Sequence, residues 1–570
     1  MKKFLLPLFS IVACIGAILP LLNNSYFSMH DQQHVVRLYL MNVGMHQGIW
    51  YPRLVDGLGF GFGYPLFNFY PPLFYFIAQV FVLIGMGYIW SIKLALISLF
   101  VISYVGMYGL VYALTKNRVA ATLAGVLYVL APYHAVLIFV RGAFAEFTGY
   151  AFIPLVLWGF VRIVQNRRTV LYGTAVAALL LSHPFVSFPF FLLFPLLFFA
   201  TLFFEQERIR IILQTAYATL IGFAIAAFFW LPSMMERNET LVSRILTTQL
   251  ADYKMHFLYL RQLLYSRWDY GGSIYGLEDG MSFQIGFVHI ALVAITATFT
   301  VYTLWKTKSY KKVPMELSYG LLLGVAILMT TFKTQWIWDR ISFLWYLQFP
   351  WRFLVFVSCF SSILAALWLT RVAQKWWYPA LIVTLVVSAS LYVPYFKPAR
   401  FLSGDDRRYL TKDQIQWEVS RTSYEFMHKS VATVKEEQTT RFALLKTELP
   451  TSDMLVPEGV AVTQARNTFY VKEYEVNSDR PFIFTLNRSY FLGWTVAIDG
   501  VSATLTPKGK AQVLTVSVPA GTHTITYAFT RTPIRTIGWI LTFVGLMGLF
   551  YLKKIDRFSA DRLRIALKQS

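Results

Sequence analysis

The sequence predicts a mainly α, polytopic transmembrane helical bundle with a small extracytoplasmic β-sandwich domain near the C-terminus. Three observations lead to this fold class. Apolar runs of about 20 residues recur between the N-terminus and residue 395, as expected of membrane-spanning helices. Basic residues gather in the short segments between these runs. Segment 396–531 lacks such runs and alternates apolar and polar residues instead.

The composition excludes an ordinary soluble protein of this length. Of 570 residues, 56% are hydrophobic and 14% are charged, and the mean hydropathy is +0.52. One soluble core cannot bury so much apolar surface. We attribute the formal net charge of +22 to cytoplasmic loops and anionic membrane lipids, so no nucleic-acid partner is expected. Cys14 and Cys359 both lie in apolar runs, which excludes a disulfide framework.

Twelve runs are predicted to span the membrane, and the first is interpreted as a retained helix because no small-x-small cleavage site precedes a soluble domain. Lys2 and Lys3 place the N-terminus in the cytoplasm. The predicted spans are 4–22, 92–114, 120–140, 149–165, 168–183, 185–204, 211–231, 284–305, 315–332, 353–371, 378–395 and 532–552. The basic clusters at 115–118, 165–168, 205–210, 306–312 and 370–375 are interpreted as cytoplasmic.

The apolar segment 64–90 is the exception to this topology. Counting it as a crossing would place every later basic cluster outside the cell, against the positive-inside rule. Pro65, Pro71 and Pro72 favour a broken entry into the membrane. We therefore predict that this segment is re-entrant or lies along the outer interface.

This topology divides the chain into four parts. Residues 1–395 form the transmembrane domain, with outer loops 23–91, 232–283 and 333–352. Residues 396–531 form the extracytoplasmic β-rich domain, which holds 17 Lys or Arg and 14 Asp or Glu residues, a balance typical of a soluble surface. Residues 532–552 form the last span, and 553–570 form a basic cytoplasmic tail on the anionic leaflet.

The second half of the β-rich domain has the period-two pattern of strands. "FIFTLNRSY", "TVAIDGVSATL", "QVLTVSV" and "HTITYAF" show this alternation. Asp499-Gly500 predicts a tight hairpin turn, and Pro519-Ala520-Gly521 predicts another. The first half of the domain, 403–450, is more polar and is compatible with some helix.

The segment "SMHDQQHVVRLY", residues 28–39, is the first candidate for chemistry. On a helix starting near Ser28, Asp31, His34 and Arg37 would share one face at the water–lipid boundary. A carboxylate there can take a proton from a hydroxyl, and an arginine can grip a phosphate. Ser28-x-x-Asp31 is equally compatible with a helix cap. His30 and His34 have metal-pair spacing, but no third ligand is evident.

Three further outer turns carry candidate residues. Arg141 and Glu146 follow the 120–140 span and form either part of a polar pocket or an interfacial ion pair. His183, in "LLLSHPF", lies at a tight turn that also fits a plain structural role. Arg352, in "LQFPWRFL", is placed to bind a lipid phosphate, specifically or as an anchor. No P-loop, Rossmann fingerprint or zinc-ligand spacing is present.

The chain resembles a known family once these motifs are taken together. The stretch from "HDQQHVVRLYL" to "YPPLFYF", then "RGAFAEF", "LLSHP", "YGLEDGMSFQIG" and "LQFPWRFL", resembles prokaryotic membrane proteins labelled 6-pyruvoyl-tetrahydropterin synthase-related. The ending around "YFLGWTVAIDG" is similar to that of the YfhO-like bacterial membrane proteins. Both groups look like members of the GT-C superfamily of glycosyltransferases.

This resemblance implies a GT-C-like fold and transfer of a sugar from a polyprenyl-phosphate donor at the extracytoplasmic face. The acceptor would be an envelope glycan, lipid or protein. Asp31 matches the acidic residue of the first outer loop, and Glu146 matches a second acidic site. His34 would tune or relay a proton, and Arg37, Arg141, His30, His183 and Arg352 would bind substrate or phosphate. The D-x-D pair is replaced by "AEF" here, so no metal ligand is assigned and Mg²⁺ or Mn²⁺ remains only a possible cofactor.

Two alternatives remain open at this level. A transporter or flippase of lipid-linked envelope precursors would carry ionisable residues in mid-membrane on several helices. The predicted spans are nearly bare of them, which favours chemistry at the surface. A non-enzymatic envelope scaffold would use the β-rich domain as its binding module.

Overall fold

The membrane part is a bundle of apolar helices. In this computed structural model, residues 2–166, 168–246, 251–435, 439–442 and 446–569 are described. Within these ranges, eight helices are long and apolar enough to cross a membrane. They are Tyr88–Thr115, Phe144–Gln165, Pro184–Phe204, Arg208–Ile225, Phe287–Thr307, Pro350–Arg371, Gln374–Tyr395 and Pro533–Lys554. Together with the C-terminal β-sheets, they confirm the predicted fold class.

Several predicted spans are shorter or broken. The predicted run 120–140 divides into Arg118–Leu130 and Pro132–Val140, which meet at 43°. Pro132 lacks the amide proton that a continuous helix needs, which accounts for the break. Run 211–231 divides at Ala226, where one helix ends before Ala227–Glu236 begins. Other apolar helices too short for the span criterion are Val12–Leu22, Leu73–Leu83, Val170–Ser182 and Pro314–Met329.

The core of the bundle lies around α-helix Leu354–Leu367, in which every residue is buried. The last helix continues past the apolar region as Pro533–Gln569. Residue 570 and the side chains of residues 557–569, which belong to the predicted basic tail, lie outside the described part of the chain. The first helix, whose apolar end is Val12–Leu22, begins as α-helix Lys2–Ile18. The remaining α-helices are His34–His46, Leu66–Phe69, Val242–Ile245, Leu260–Leu264 and Gln335–Arg340.

Segment 64–90 does not form one long helix. Leu66–Phe69 is a single turn, and Leu73–Leu83 has 11 residues. At 1.5 Å per residue the longer helix reaches only about 16 Å, roughly half of a bilayer core. This helix is therefore too short to cross the membrane by itself.

The C-terminal region contains two antiparallel sheets packed face to face. The five-stranded sheet has the order Val501–Ala503, Trp494–Ile498, Gly521–Phe529, Val471–Ser478, Ala461–Asn467. The four-stranded sheet has the order Thr506–Lys508, Val513–Val518, Phe482–Ser489, Met454–Leu455. The ring centroid of Phe484 lies 5.0 Å from that of Tyr474 and 6.0 Å from that of Tyr527, both in the other sheet. These rings form the core between the sheets.

The two turns predicted in this domain have different outcomes. Ile498 pairs with Val501 across Asp499 and Gly500, whose φ angles of 49° and 78° are those of a tight hairpin. The predicted hairpin at Pro519-Ala520-Gly521 is wrong. Strand Val513–Val518 pairs within the four-stranded sheet, whereas Gly521–Phe529 pairs within the five-stranded sheet. The chain crosses between sheets at this turn, because each strand buries its apolar face against the other sheet.

Strand pairing, ion pairs and hydrogen bonds attach the β-rich region to the first long loop. Strand Tyr26–Phe27 pairs antiparallel with Phe401–Leu402. Asp56 accepts a hydrogen bond from the Arg488 guanidinium at 3.0 Å and forms an ion pair with Lys472. Further two-stranded pairing occurs between Ala432–Lys435 and Thr439–Phe442. The loop and the β-rich region thus pack against each other.

Candidate functional site

One cavity of about 650 Å³ is lined by residues of the first long loop, of the helices and of the segment 425–426. Its polar side is formed by Asp31, Arg141, Glu146, His183, Arg237, Gln348, Arg352 and Glu425. Its apolar side is formed largely by aromatic residues of the helices, including Phe188, Phe191, Phe223 and Trp230. A cavity with one charged side and one apolar side suits an amphipathic ligand.

Asp31 lies on the turn before helix His34–His46, and its side chain is exposed along the cavity. The predicted helix beginning near Ser28 is wrong, and so is the alternative in which Ser28 and Asp31 cap it. The chain is not helical there, and the amide of His30 donates to the carbonyl of Val140 at 2.9 Å. The Asp31 amide likewise donates to the carbonyl of Arg141.

The Asp31 carboxylate is free to act on a ligand. Among the described residues, no hydrogen bond or ion pair engages its oxygen atoms. The dense protein surroundings raise the pKa of this carboxyl above its usual value, and the positive charges of Arg141 and Arg37 oppose the rise. Gly142 allows the close approach of the neighbouring turn, because it has φ of 66° and a Cβ there would lie 3.0 Å from the Asp31 carbonyl oxygen.

Glu146 lines the same cavity as Asp31 but is fully buried and fully engaged. Arg141 Nη1 lies 2.7 Å from Glu146 Oε2, and Arg352 Nε lies 3.3 Å from the same oxygen. The Tyr133 hydroxyl donates to Oε1 at 2.8 Å. The predicted ion pair between Arg141 and Glu146 is therefore present, inside the cavity wall. Its geometry suits Glu146 for holding two guanidinium groups in place.

The two arginines are also fixed by aromatic rings. The Arg141 guanidinium carbon lies 4.6 Å from the Trp351 ring centroid, and that of Arg352 lies 4.5 Å from the Phe185 centroid. Arg352 Nη1 also donates to the carbonyl of Leu347 at 2.6 Å. Because each guanidinium has five N–H groups, donors remain available to an anion in the cavity.

His183 caps helix Pro184–Phe204. Its Nδ1 atom accepts a 3.1 Å hydrogen bond from the amide of Phe185. In the neutral imidazole the proton is then on Nε2, which is a donor. Since His183 lines the cavity, the capping role and a ligand-binding role are compatible.

The other predicted site residues lie outside the cavity lining. His34 is completely buried, its Nε2 donating to the Gly142 carbonyl at 2.6 Å and its Nδ1 accepting from the Tyr75 hydroxyl at 2.9 Å. Burial lowers the pKa of His34 to about 3, so the imidazole is neutral at ordinary pH. This arrangement does not fit the predicted proton relay, because both ring nitrogens are already used.

Arg37 and His30 are also separated from the cavity. Arg37 Nη2 donates to Ser423 Oγ at 2.7 Å, and its guanidinium carbon lies 4.1 Å from the ring centroid of Tyr70, a cavity residue. Arg37 therefore packs against a residue of the cavity wall without lining the cavity itself. His30 is exposed, and its Nε2 lies 3.0 Å from the carbonyl oxygen of Tyr270.

Sequence reasoning missed several polar cavity residues, among them Arg237, Gln348 and Glu425. Arg237 follows a predicted span, so the cluster "MERNE" was available as an indication of a boundary charge. Gln348 lies within the quoted motif "LQFPWRFL". Glu425 lies in the polar segment 403–450, where no periodicity or motif distinguishes it from surface acids.

Two of the side chains considered as metal ligands, Glu146 and His34, are engaged by protein partners. In the described part of the chain, no three His, Cys, Asp or Glu side chains converge in a ligand geometry. Glu146, the predicted second acidic residue, is occupied by Arg141 and Arg352. The pair His30 and His34 is divided, since His34 is buried against Tyr75. No chemical step is therefore assigned to a metal.

Comparisons with known proteins match a protein family and solved structures that include two of an archaeal oligosaccharyltransferase. Comparison with curated proteins gives no match. The apo oligosaccharyltransferase of Archaeoglobus fulgidus aligns with 12% identity and a TM-score of 0.47. The oligosaccharyltransferase AglB of the same organism, in complex with an inhibitory peptide and a dolichol-phosphate, aligns with 14% identity and a TM-score of 0.47. Each alignment covers 74% of this chain and 60% of the solved one.

The family match covers most of the helical region. The profile of the 6-pyruvoyl-tetrahydropterin synthase related domain, described as a membrane protein, matches residues 67–399. The matched range includes Arg141, Glu146, His183 and Arg352 and agrees with the multi-pass helical bundle. The chain belongs to this family of 6-pyruvoyl-tetrahydropterin synthase related membrane proteins.

Proposed function

We propose that this protein is an integral membrane glycosyltransferase of the GT-C type. It would move a sugar from a polyprenyl-phosphate donor to an envelope glycan, lipid or protein acceptor on the extracytoplasmic face. The observation that carries this proposal is the cavity, where an unpaired carboxylate, Asp31, shares one space with Arg141 and Arg352. Family resemblance in the quoted motifs supports the same reaction class.

The apolar side of the cavity fits the lipid part of such a donor. Phe188 and Phe191 belong to the candidate span Pro184–Phe204, so this side continues directly into the helical region. A polyprenyl chain could remain among these rings while its phosphate faces Arg141 and Arg352. An anion between two guanidinium groups is stabilised by charge-assisted hydrogen bonds.

The reaction assigned to these residues is a direct displacement. The acceptor O–H gives its proton to Asp31 while the acceptor oxygen forms a bond to the anomeric carbon. The bond from that carbon to the phosphate oxygen breaks, and polyprenyl phosphate leaves with the electron pair. Arg141 and Arg352 stabilise the charge on this leaving group, and His183 Nε2–H adds a donor. One displacement without a covalent enzyme intermediate inverts the anomeric centre.

Glu146 has a supporting role in this proposal. Its ion pairs hold both guanidinium groups against the cavity. Because it balances part of their charge, it also limits how tightly the phosphate product is held.

Substitution of Asp31 by Asn tests the proposal in a host strain that lacks the gene. Incorporation of labelled sugar into envelope glycans is compared between strains with equal protein levels. Loss of general-base action is expected to lower transfer by about 100-fold or more. The matched control is Asp479→Asn, at an exposed position in the β-rich region. Transfer near the wild-type rate in Asp31→Asn would overturn the assignment of the base.

A further inference from the structure

Glu425 is a cavity carboxylate contributed by the segment that leads into the β-rich region. It lies with Phe426 in the cavity lining, after the short turn Ser420–Thr422. The cavity is therefore closed by residues from beyond the membrane bundle as well as by the helices.

The position of Glu425 is fixed by hydrogen bonds on both sides. Ser423 Oγ accepts a hydrogen bond from Arg37 Nη2 and donates one to Glu425 Oε1 at 3.1 Å. The amide of Phe426 donates to the Tyr64 hydroxyl at 3.1 Å. The carbonyl of Met427 accepts from the amide of Leu241 at 3.0 Å. A carboxylate held in this way loses little conformational entropy when it binds a ligand.

The carboxylate keeps acceptor capacity toward the cavity. Its hydrogen bond with Ser423 uses Oε1, whereas an ionised carboxylate offers about four lone-pair sites on two oxygens. Glu425 therefore has the chemistry to accept hydrogen bonds from ligand hydroxyl or amino groups.

Asp31 and Glu425 are two carboxylates that line the cavity together with Arg141 and Arg352. Burial raises the pKa of the Glu425 carboxyl, Arg37 opposes the rise, and the charge of Asp31 adds to it. Both residues line the same cavity of about 650 Å³, so one ligand can contact the two carboxyl groups together. A third negative charge placed against these two carboxylates would be unfavourable, whereas a hydroxyl or an ammonium group can donate hydrogen bonds to them.

We propose that Glu425 and Asp31 together bind the acceptor and select neutral or amino-bearing sugars over acidic ones. That the bound sugar is the acceptor rests on the proposed transferase function, whereas the predicted order of affinities for neutral, amino-bearing and acidic sugars does not. Asp31 meets the reacting hydroxyl, and Glu425 binds neighbouring hydroxyl or amino groups of the same sugar residue. The specificity of the site is then set partly by the β-rich region and its linker.

Binding of three trisaccharide probes to the full chain in lipid nanodiscs tests this selection. The probes are oligomers of glucosamine, N-acetylglucosamine and galacturonic acid. The galacturonate probe is expected to bind about tenfold more weakly than the other two, because a hydrogen bond to a charged group is replaced by repulsion. Glu425→Gln should reduce this ratio to about threefold. Glu418→Gln is the matched control, since Glu418 lies on the same segment, pairs with Arg421 and does not line the cavity.

Three results would overturn the inference. These are equal binding of all three probes to the unsubstituted chain, an unchanged ratio in Glu425→Gln, and absence of binding by the neutral and amino probes at millimolar concentration. Sugar transfer is measured on the same samples, which separates the two proposals. Selective binding without transfer would remove the transferase function and leave a carbohydrate site. Transfer without selectivity would remove only the role of Glu425.

Discussion

The backbone amide of Asp31 donates a 3.0 Å hydrogen bond to the carbonyl oxygen of Arg141. This bond joins two turns that are far apart in the sequence and places an unpaired carboxylate beside an arginine in one cavity. The side chain of Arg141 is in turn held by Glu146, which also binds Arg352. The charged side of the cavity is thus one connected unit, and each of its members can be tested separately.

Arg352 is expected to recognise the phosphate of the donor. Arg352→Ala should weaken binding of undecaprenyl phosphate to the full chain in nanodiscs by about tenfold, the loss of one charge-assisted hydrogen bond. Binding of undecaprenol, which lacks the phosphate, should not change. Arg340→Ala is the control, at an exposed arginine of a neighbouring helix that does not line the cavity. An equal loss of affinity for both lipids would show that Arg352 shapes the cavity but does not bind the phosphate.

The raised pKa of Asp31 predicts how kcat/KM of the proposed transfer falls at low pH, the acid limb of its pH profile. A general base acts when it is ionised, so transfer falls as the pH drops through its pKa. Because the protein surroundings raise this pKa and Arg141 opposes the rise, Arg141→Gln should move the acid limb of kcat/KM to higher pH. Arg141→Lys keeps the positive charge and should leave the limb nearly in place. An acid limb at the same pH in both variants would contradict the assignment of Asp31.

Glu146 is expected to matter for stability as well as for activity. Glu146→Gln leaves Arg141 and Arg352 close together and buried without their counter-charge, which costs about 3–5 kcal/mol. Denaturant unfolding in mixed micelles measures this loss. The control is Glu239→Gln, which breaks the half-exposed pair with Lys429 and should cost less than about 1 kcal/mol. A similar loss of unfolding free energy in the two variants would mean that the buried ion pairs of Glu146 do not stabilise the fold.

The short helix Leu73–Leu83 predicts that the following turn stays on the outer side of the membrane. Met86 is 37% exposed, and Met86→Cys should react with a membrane-impermeant maleimide in intact cells. Ser502→Cys, at an exposed position in the β-rich region, marks the same side. The unsubstituted chain gives the background from Cys14 and Cys359. Reaction of Met86→Cys only after permeabilisation would overturn the topology.

The sequence by itself determined the features that arise from short-range physics. Apolar runs of about 20 residues predicted the membrane helices because each apolar group adds its own transfer free energy into the bilayer, whatever the rest of the fold. Asp499-Gly500 predicted its hairpin because the required backbone angles are a property of those two residues. Asp31, Glu146, His183 and Arg352 were indicated because ionisable side chains at membrane depth tend to be functional.

Only the tertiary structure decided how these residues are used. Asp31 lies on a non-helical segment whose amides bond to distant carbonyl groups, those of Val140 and Arg141. His34 is withdrawn from the cavity by Tyr75 and Gly142, and Glu425 is brought into it by Ser423 and Arg37. A buried polar group must find a partner, and that partner is chosen by the whole fold rather than by its neighbours in sequence.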